Sequence, residues 1–196
     1  MKKFKSLKII TFYKNEKTLI KRASSGYAEA QQALFDSYAP KMLGVCRQYI
    51  RDVHYAEDVM IMGFVKVFKN LKNFRHQGSF EGWIRRIMIR EAISYLRKKQ
   101  FVVYDEELIK NNDSVYTKST SELEVEHIQK LIDDLPDGYK LVFVLFAIEG
   151  YKHNEIARML QISESTSKSQ LFKARRVLQN KINKLELSER RKLKPS

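Results

Sequence analysis

Cysteine is nearly absent from this 196-residue chain: Cys46 stands alone, which excludes a disulfide framework and a cysteine-based zinc site and fits a reducing, cytoplasmic setting. Proline is almost as scarce, with three residues, and seven glycines supply little of the punctuation that strand-and-turn folds need. No apolar run reaches transmembrane length. The early one, Ile9 to Tyr13, is shorter than a signal-peptide core and is followed at once by Lys14. Strand-type alternation and internal repeats are also scarce, so the expected fold class is all-α.

What the chain has in excess is positive charge, and it is unevenly placed. Residues 1–100 carry 21 Lys and Arg against 8 Asp and Glu, residues 101–150 carry 4 against 11, and residues 151–196 carry 12 against 4. Two basic lobes flanking an acidic middle suit a protein that meets nucleic acid phosphates at two separated places.

Residues 1–18 read as a flexible basic arm. Apolar spacing then predicts a helix from Tyr27 to Tyr38 ended by Pro40, a second from Pro40 to Arg51 and a third from Val53 to Leu71. The third turns Ala56, Val59, Met60, Val67 and Phe68 inward, and a fourth from Phe80 to Lys99 does the same with Ile84, Ile87, Met88, Tyr95 and Leu96. These four helices make one small domain over residues 19–100. Residues 101–126 are polar and acidic and read as a linker. A second domain over 127–185 uses Ile128, Leu131, Ile132 and Leu135, then Tyr139, Val142, Phe143 and Phe146 behind Pro136, with Gly150 as a left-handed stop. Leu171, Ala174, Leu178 and Ile182 close it, and residues 186–196 form a loose tail.

The most telling stretch is GYKHNEIARMLQISESTSKSQLFK, residues 150–173, which has the pattern of a helix-turn-helix. Ile156, Ala157 and Leu160 share one face of a short helix, Ser163 can cap a second, and Thr166, Lys168, Ser169, Gln170 and Lys173 populate that helix's polar side. Short hydroxyl, amide and cationic side chains are what a major groove accepts. In the first domain, the Asn73 to Phe80 segment has the glycine, amide and aromatics of a loop that holds an extruded base, though a plain turn has a similar composition. Trp83 follows with Arg85, Arg86, Arg90, Arg97 and Lys98 along one helix, which pairs a stacking ring with cations as single-stranded DNA requires, unless the tryptophan is core.

In order and spacing, LFDSYAPKMLGVCRQYIRDVHYAEDV, GFVKVFKNLKNFRHQGSFEGWIRRIM followed by AISYLRKK, and LPDGYKLVFVLFAIEGYKHNEIARML followed by STSKSQLFKARRVL resemble a sigma-70 family RNA polymerase sigma factor of the extracytoplasmic-function (ECF) class. The likeness covers residues 19–183. It implies a region 2 helical bundle and a region 4 helix-turn-helix joined by a flexible acidic linker that threads the polymerase RNA channel or is simply solvated. Region 2 would bind the clamp of the largest subunit of core RNA polymerase through Glu57, Asp58, Phe64, Lys66 and Phe68, with Asp58 central. Promoter DNA would be opened and captured at minus-10 by Asn73, Phe74, Arg75, Gln77, Phe80, Trp83, Arg86, Arg90 and Arg97. Region 4 would read minus-35 through Ser165, Thr166, Lys168, Ser169 and Gln170, with Lys173, Arg175 and Arg176 on phosphates.

The resemblance also implies a membrane-anchored anti-sigma factor as partner, and neither a cofactor nor a small-molecule substrate. Five positions depart from the family pattern: Ile61 and Met62 replace a frequent Gln-Glu pair, Arg90 a frequent asparagine, Ser94 a frequent aspartate and Gln161 a frequent glycine. An enzyme would have to use His54, Glu57 and Asp58 as its reactive trio, a set that is ordinary surface charge on an exposed helix. The serious rival is a stand-alone helix-turn-helix regulator, for which the aromatic loop and arginine helix have little use.

Overall fold

The computed structural model describes residues 15–98 and 128–192, with side chains of the last helix described to residue 185; among these residues there is no strand. The chain divides into two compact units, residues 1–95 and 96–196. The expected acidic linker, residues 101–126, lies outside the described residues, as do residues 1–14 of the expected arm and 193–196 of the tail.

Unit 1 begins with α1, Glu16–Ser24, inside and just beyond the segment expected as arm. The Asn15 side chain accepts from the Thr18 amide at 2.8 Å, satisfying one of the donors that a helix start leaves open. Leu19, Ile20 and Ala23 give α1 a buried edge, which packs on α2, Ala28–Tyr49. The break expected at Pro40 does not occur, because α2 runs straight through it. A proline inside a helix forgoes one backbone bond and costs about 3 kcal/mol in isolation. Here Ala30, Ala33 and Leu34 before it and Met42, Val45, Cys46 and Tyr49 after it continue a single buried stripe, and burial holds both halves in register. Cys46 is fully buried, and burial pushes its thiol up to about 12.

Asp52 caps α3, Val53–Asn70, by accepting from the His54 and Tyr55 amides at 2.8 and 3.2 Å. α3 buries Ala56, Val59, Met60, Gly63, Phe64 and Val67, and ends in a 3-10 turn, Leu71–Asn73. Helix α4, Phe80–Lys98, buries Ile84, Met88, Ile89, Ala92, Ile93 and Leu96, leaving Ile87 and Tyr95 half-buried. The absence of a side chain at Gly63 gives room to the Met88 thioether, so α3 and α4 cross closely.

In unit 2, helix α5 covers 128–133 and α6 Asp137–Phe143, followed by a π-helical turn, Val144–Ile148. The inner face differs from the expected one: Leu141, Val142, Val144 and Leu145 are buried, while Tyr139, Phe143 and Phe146 are half-buried. From Leu141 to Ile148 every residue is apolar, so spacing carried no face, and the wider turn, with Glu149 donating to the Val144 carbonyl at 3.0 Å, resets the helical phase. Lys140 is also buried, with its ammonium 2.6 Å from Asp133. Gly150 takes the expected left-handed conformation, φ 76°. Ile128 and Ile182, expected inside, are exposed. The last helix, α8, runs over Glu164–Lys192 and so takes in most of the stretch expected as loose tail.

Candidate nucleic-acid and partner interfaces

The helix-turn-helix forms as its residues predict. Glu155 accepts from the Lys152 amide at 2.8 Å and starts α7, His153–Leu160, which buries Ile156 and Leu160. Gln161 ends it in the left-handed region, φ 58° and ψ 43°, where a glycine would avoid about 1 kcal/mol of strain. Ser163 then accepts from the Thr166 amide at 2.9 Å to open α8. Between the two helices, fully buried Ser167 meets His153 Nδ1 at 2.9 Å, and the His153 ring stacks on Phe146 at 4.6 Å. This link sets how α8 lies across α7, and sequence reasoning missed it because the partners are 14 residues apart.

At about 100° per residue, Leu171, Ala174 and Ser167 face the core of unit 2, Ser165, Ser169, Phe172 and Arg176 face the opposite way, and exposed Lys168 borders that outward stripe. The other expected contacts sit on the flanks. Thr166 is engaged with Ser163 at 2.7 Å, Gln170 lies against Gly138, Lys173 is above Tyr139 and Arg175 is above Phe146. Lys168 pairs with Glu164 at 2.8 Å, and its hydrogen bond holds that carboxyl below its usual range; both groups are exposed, so the pair yields readily to a better partner. Phe172 is the residue the sequence reading overlooked. It is 68% exposed in the middle of the outward stripe, and the signal was its phase, three residues after Ser169 and out of step with Leu171 and Ala174.

Along α4, Trp83, Arg86, Arg90 and Arg97 fall on one side within an arc of about 60° spanning about 21 Å, the dimensions of a track for several nucleotides. The three arginines are exposed and Trp83 is half-buried. Asn73 belongs to the 3-10 turn and Phe80 opens α4, so the open loop is 74–79. His76 and Gly78 both have positive φ, 56° and 96°, and Arg75 and Gln77 are exposed between half-buried Phe74 and the helix. Phe80, expected on the DNA surface, is instead 2% exposed, packed between Tyr38 at 5.5 Å, Phe74 at 5.1 Å and Trp83 at 5.8 Å. It is the floor on which the other rings are held.

The expected polymerase contacts separate in the same way. Asp58 is exposed and Glu57 half-buried, but Phe64 is 2% exposed, its ring 4.8 Å from Phe35 and 6.0 Å from half-buried Phe68. It cannot offer a surface, because its position on α3 falls in phase with Met60 and Val67. Lys66 pairs with Glu91 at 2.5 Å and ties α3 to α4. Around Asp58, the outward residues of α3 include exposed Ile61, Met62 and Val65. Among the described residues there is no group of His, Cys, Asp and Glu that could hold a metal ion, and no helix long and apolar enough to cross a membrane.

Two family models match the chain, Sigma-70 region 2 over residues 34–102 and Sigma-70, region 4 over residues 126–178. The ECF RNA polymerase sigma-E factor of Haemophilus influenzae is 24% identical over 185 residues, spanning 87% of this chain and 96% of the relative. The ECF RNA polymerase sigma factor SigW of Bacillus subtilis is 27% identical over 182 residues, spanning 86% and 97%. Among solved structures, the sigma factor RpoE of Bartonella quintana in complex with the anti-sigma factor NepR aligns with a TM-score of 0.50 at 17% identity, covering 78% of this chain and 96% of that one. At that identity the likeness concerns the fold.

Proposed function

Because the chain belongs to the sigma-70 family, we propose that its two units divide one task, unit 1 engaging core RNA polymerase and the minus-10 element and unit 2 the minus-35 element. It is a sigma factor, directing transcription initiation. The observation that supports the division of labour is an aromatic and arginine stripe on α4 and a second stripe of polar and cationic residues on α8. The work is binding energy spent on DNA. Extruding a base costs a few kcal/mol, and stacking returns about 1–3 kcal/mol per base, so Phe74 and Trp83, braced by Phe80, together with Arg86, Arg90 and Arg97 offset the opening. Asp58 addresses the clamp. An anti-sigma factor, membrane-anchored, holds the protein inactive in the cytoplasm until a signal arrives.

Run-off transcription from genomic fragments, with core polymerase in the presence and absence of the protein, tests the assignment. Discrete start sites that need both components are expected; tight duplex binding without core, and no new transcripts, would support a stand-alone regulator instead. Asp58→Arg is expected to weaken core binding about tenfold or more, by turning an attraction into a like-charge contact. Equal affinity would remove Asp58 from the interface.

On α8, Phe172 offers the apolar contact that a thymine methyl takes in the major groove, beside Lys168 and Arg176. Phe172→Ala is expected to lower minus-35 affinity about fivefold on sites with thymine and to leave thymine-free sites unchanged. Lys168→Ala should alter base preference with core binding intact. Binding curves on a set of single-substitution duplexes check both, and uniform losses across all sites would mark the residues as phosphate contacts.

A further inference from the structure

The outward side of α3 is an uncovered apolar patch with charge at both ends. Ile61, Met62 and Val65 are 49%, 56% and 40% exposed and lie on one side of the helix. Exposed Asp58 lies at one end of the stripe and exposed Lys69 at the other, about three helical turns apart and only about 20° out of line. Lys66 does not belong to the patch, since it turns to Glu91 at 2.5 Å. An apolar centre between charges of opposite sign is the anatomy of a protein interface rather than of solvated surface.

We propose that this face pairs with the same face of a second copy of the chain, the two α3 helices running antiparallel about a twofold axis. The charge order selects that partner and that direction. With the axis passing between Gly63 and Phe64, Met62 of each copy meets Val65 of the other, and Asp58 of each meets Lys69 of the other, so the apolar contact and the ion pair each form twice. A parallel pairing would set Asp58 against Asp58 and Lys69 against Lys69. The self-complementarity is a property of this sequence, arising where Ile61 and Met62 stand in place of polar residues. Two helices bury little area and a chain of net charge +14 repels its copy, so the pairing is weak and responds to concentration. On the reading of Asp58 given above, and resting on it, pairing and polymerase binding exclude one another. Core polymerase would then draw monomer from a self-paired reserve.

Sedimentation of the full chain from about 1 to about 200 micromolar, the range of small interfaces, tests it. A monomer–dimer equilibrium is expected, and Met62→Glu should raise its dissociation constant about tenfold or more by placing an unpaired carboxylate at the apolar centre. Asp58→Lys and Lys69→Asp should each weaken pairing, and the two together in one chain should restore it, a rescue that no damage to folding imitates. Monomer at every concentration overturns the proposal, as does undiminished dimer in Met62→Glu, or a double variant no stronger than the single ones. Promoter-specific transcription by a protein that never pairs sinks the pairing alone, whereas normal pairing without any sigma activity sinks the functional reading alone.

Discussion

Asp133→Ala is expected to destabilise the second unit while leaving the first unaffected. The Lys140 side chain is 2% exposed and its ammonium sits 2.6 Å from Asp133, whose own side chain is 27% exposed. Taking away the carboxylate removes the acidic partner of a buried cation, and losing a hydrogen bond to such a charge costs about 1.5–3 kcal/mol. Domains have only about 5–15 kcal/mol to lose, and a small one lies at the low end. The opposite deletion is cheap, because Lys140→Met places an apolar chain where an apolar chain fits and leaves Asp133 partly in water. Urea unfolding followed by circular dichroism should therefore show the helices of unit 2 melting first in Asp133→Ala, with minus-35 duplex binding lost and little change in Lys140→Met. Equal effects from the two substitutions would mean that the ammonium reaches solvent.

Gly63→Val should do the corresponding damage to unit 1. A Cβ at Gly63 would lie 2.3 Å from Met88 Sδ and 2.9 Å from its Cε, and Met88 is fully buried, so the thioether cannot swing into solvent. Alanine there regains about 0.5–1 kcal/mol of helix propensity but meets an overpacking cost of about 1–3 kcal/mol. Valine adds two methyls to the same crossing and loses the propensity gain as well, for an expected net loss of about 3 kcal/mol or more. Polymerase affinity should fall with duplex binding by unit 2 intact. Met88→Ala in the same chain should recover a large part of the stability, and failure of that rescue would show that the strain lies elsewhere than at the thioether.

Legibility in the sequence followed how local the deciding interaction is. α3, α4, α7 and α8 were readable because apolar positions recur at helical spacing and Asp52 and Ser163 mark the starts. Pro40 misled because the rule for proline is local, whereas the buried stripe it interrupts extends over the whole of α2. Leu141 to Ile148 was unreadable as a face, having no polar residue to define one. Among the site residues, Asp58 and Arg86, Arg90 and Arg97 of α4 are exposed, while Arg85 is half-buried. Phe64 and Phe80 came out as supports, since an aromatic near an interface can serve either side and only packing decides which. Phe172 was passed over because only the polar side chains of α8 were weighed as contacts, and its exposure shows only in the packed structure.

The sealing of Cys46 has a practical consequence. Thiol reagents and mild oxidants act on the thiolate, and a fully buried sulfur held at about 12 presents almost none near neutral pH. The chain thus behaves toward maleimides as though it contained no cysteine. A cysteine introduced at an exposed position such as Gln77 in the aromatic loop would take a fluorophore alone, without first replacing the native residue. The probe would follow the loop with the native Cys46 left in place, and oxidants would meet exposed methionines such as Met62 before they met this thiol.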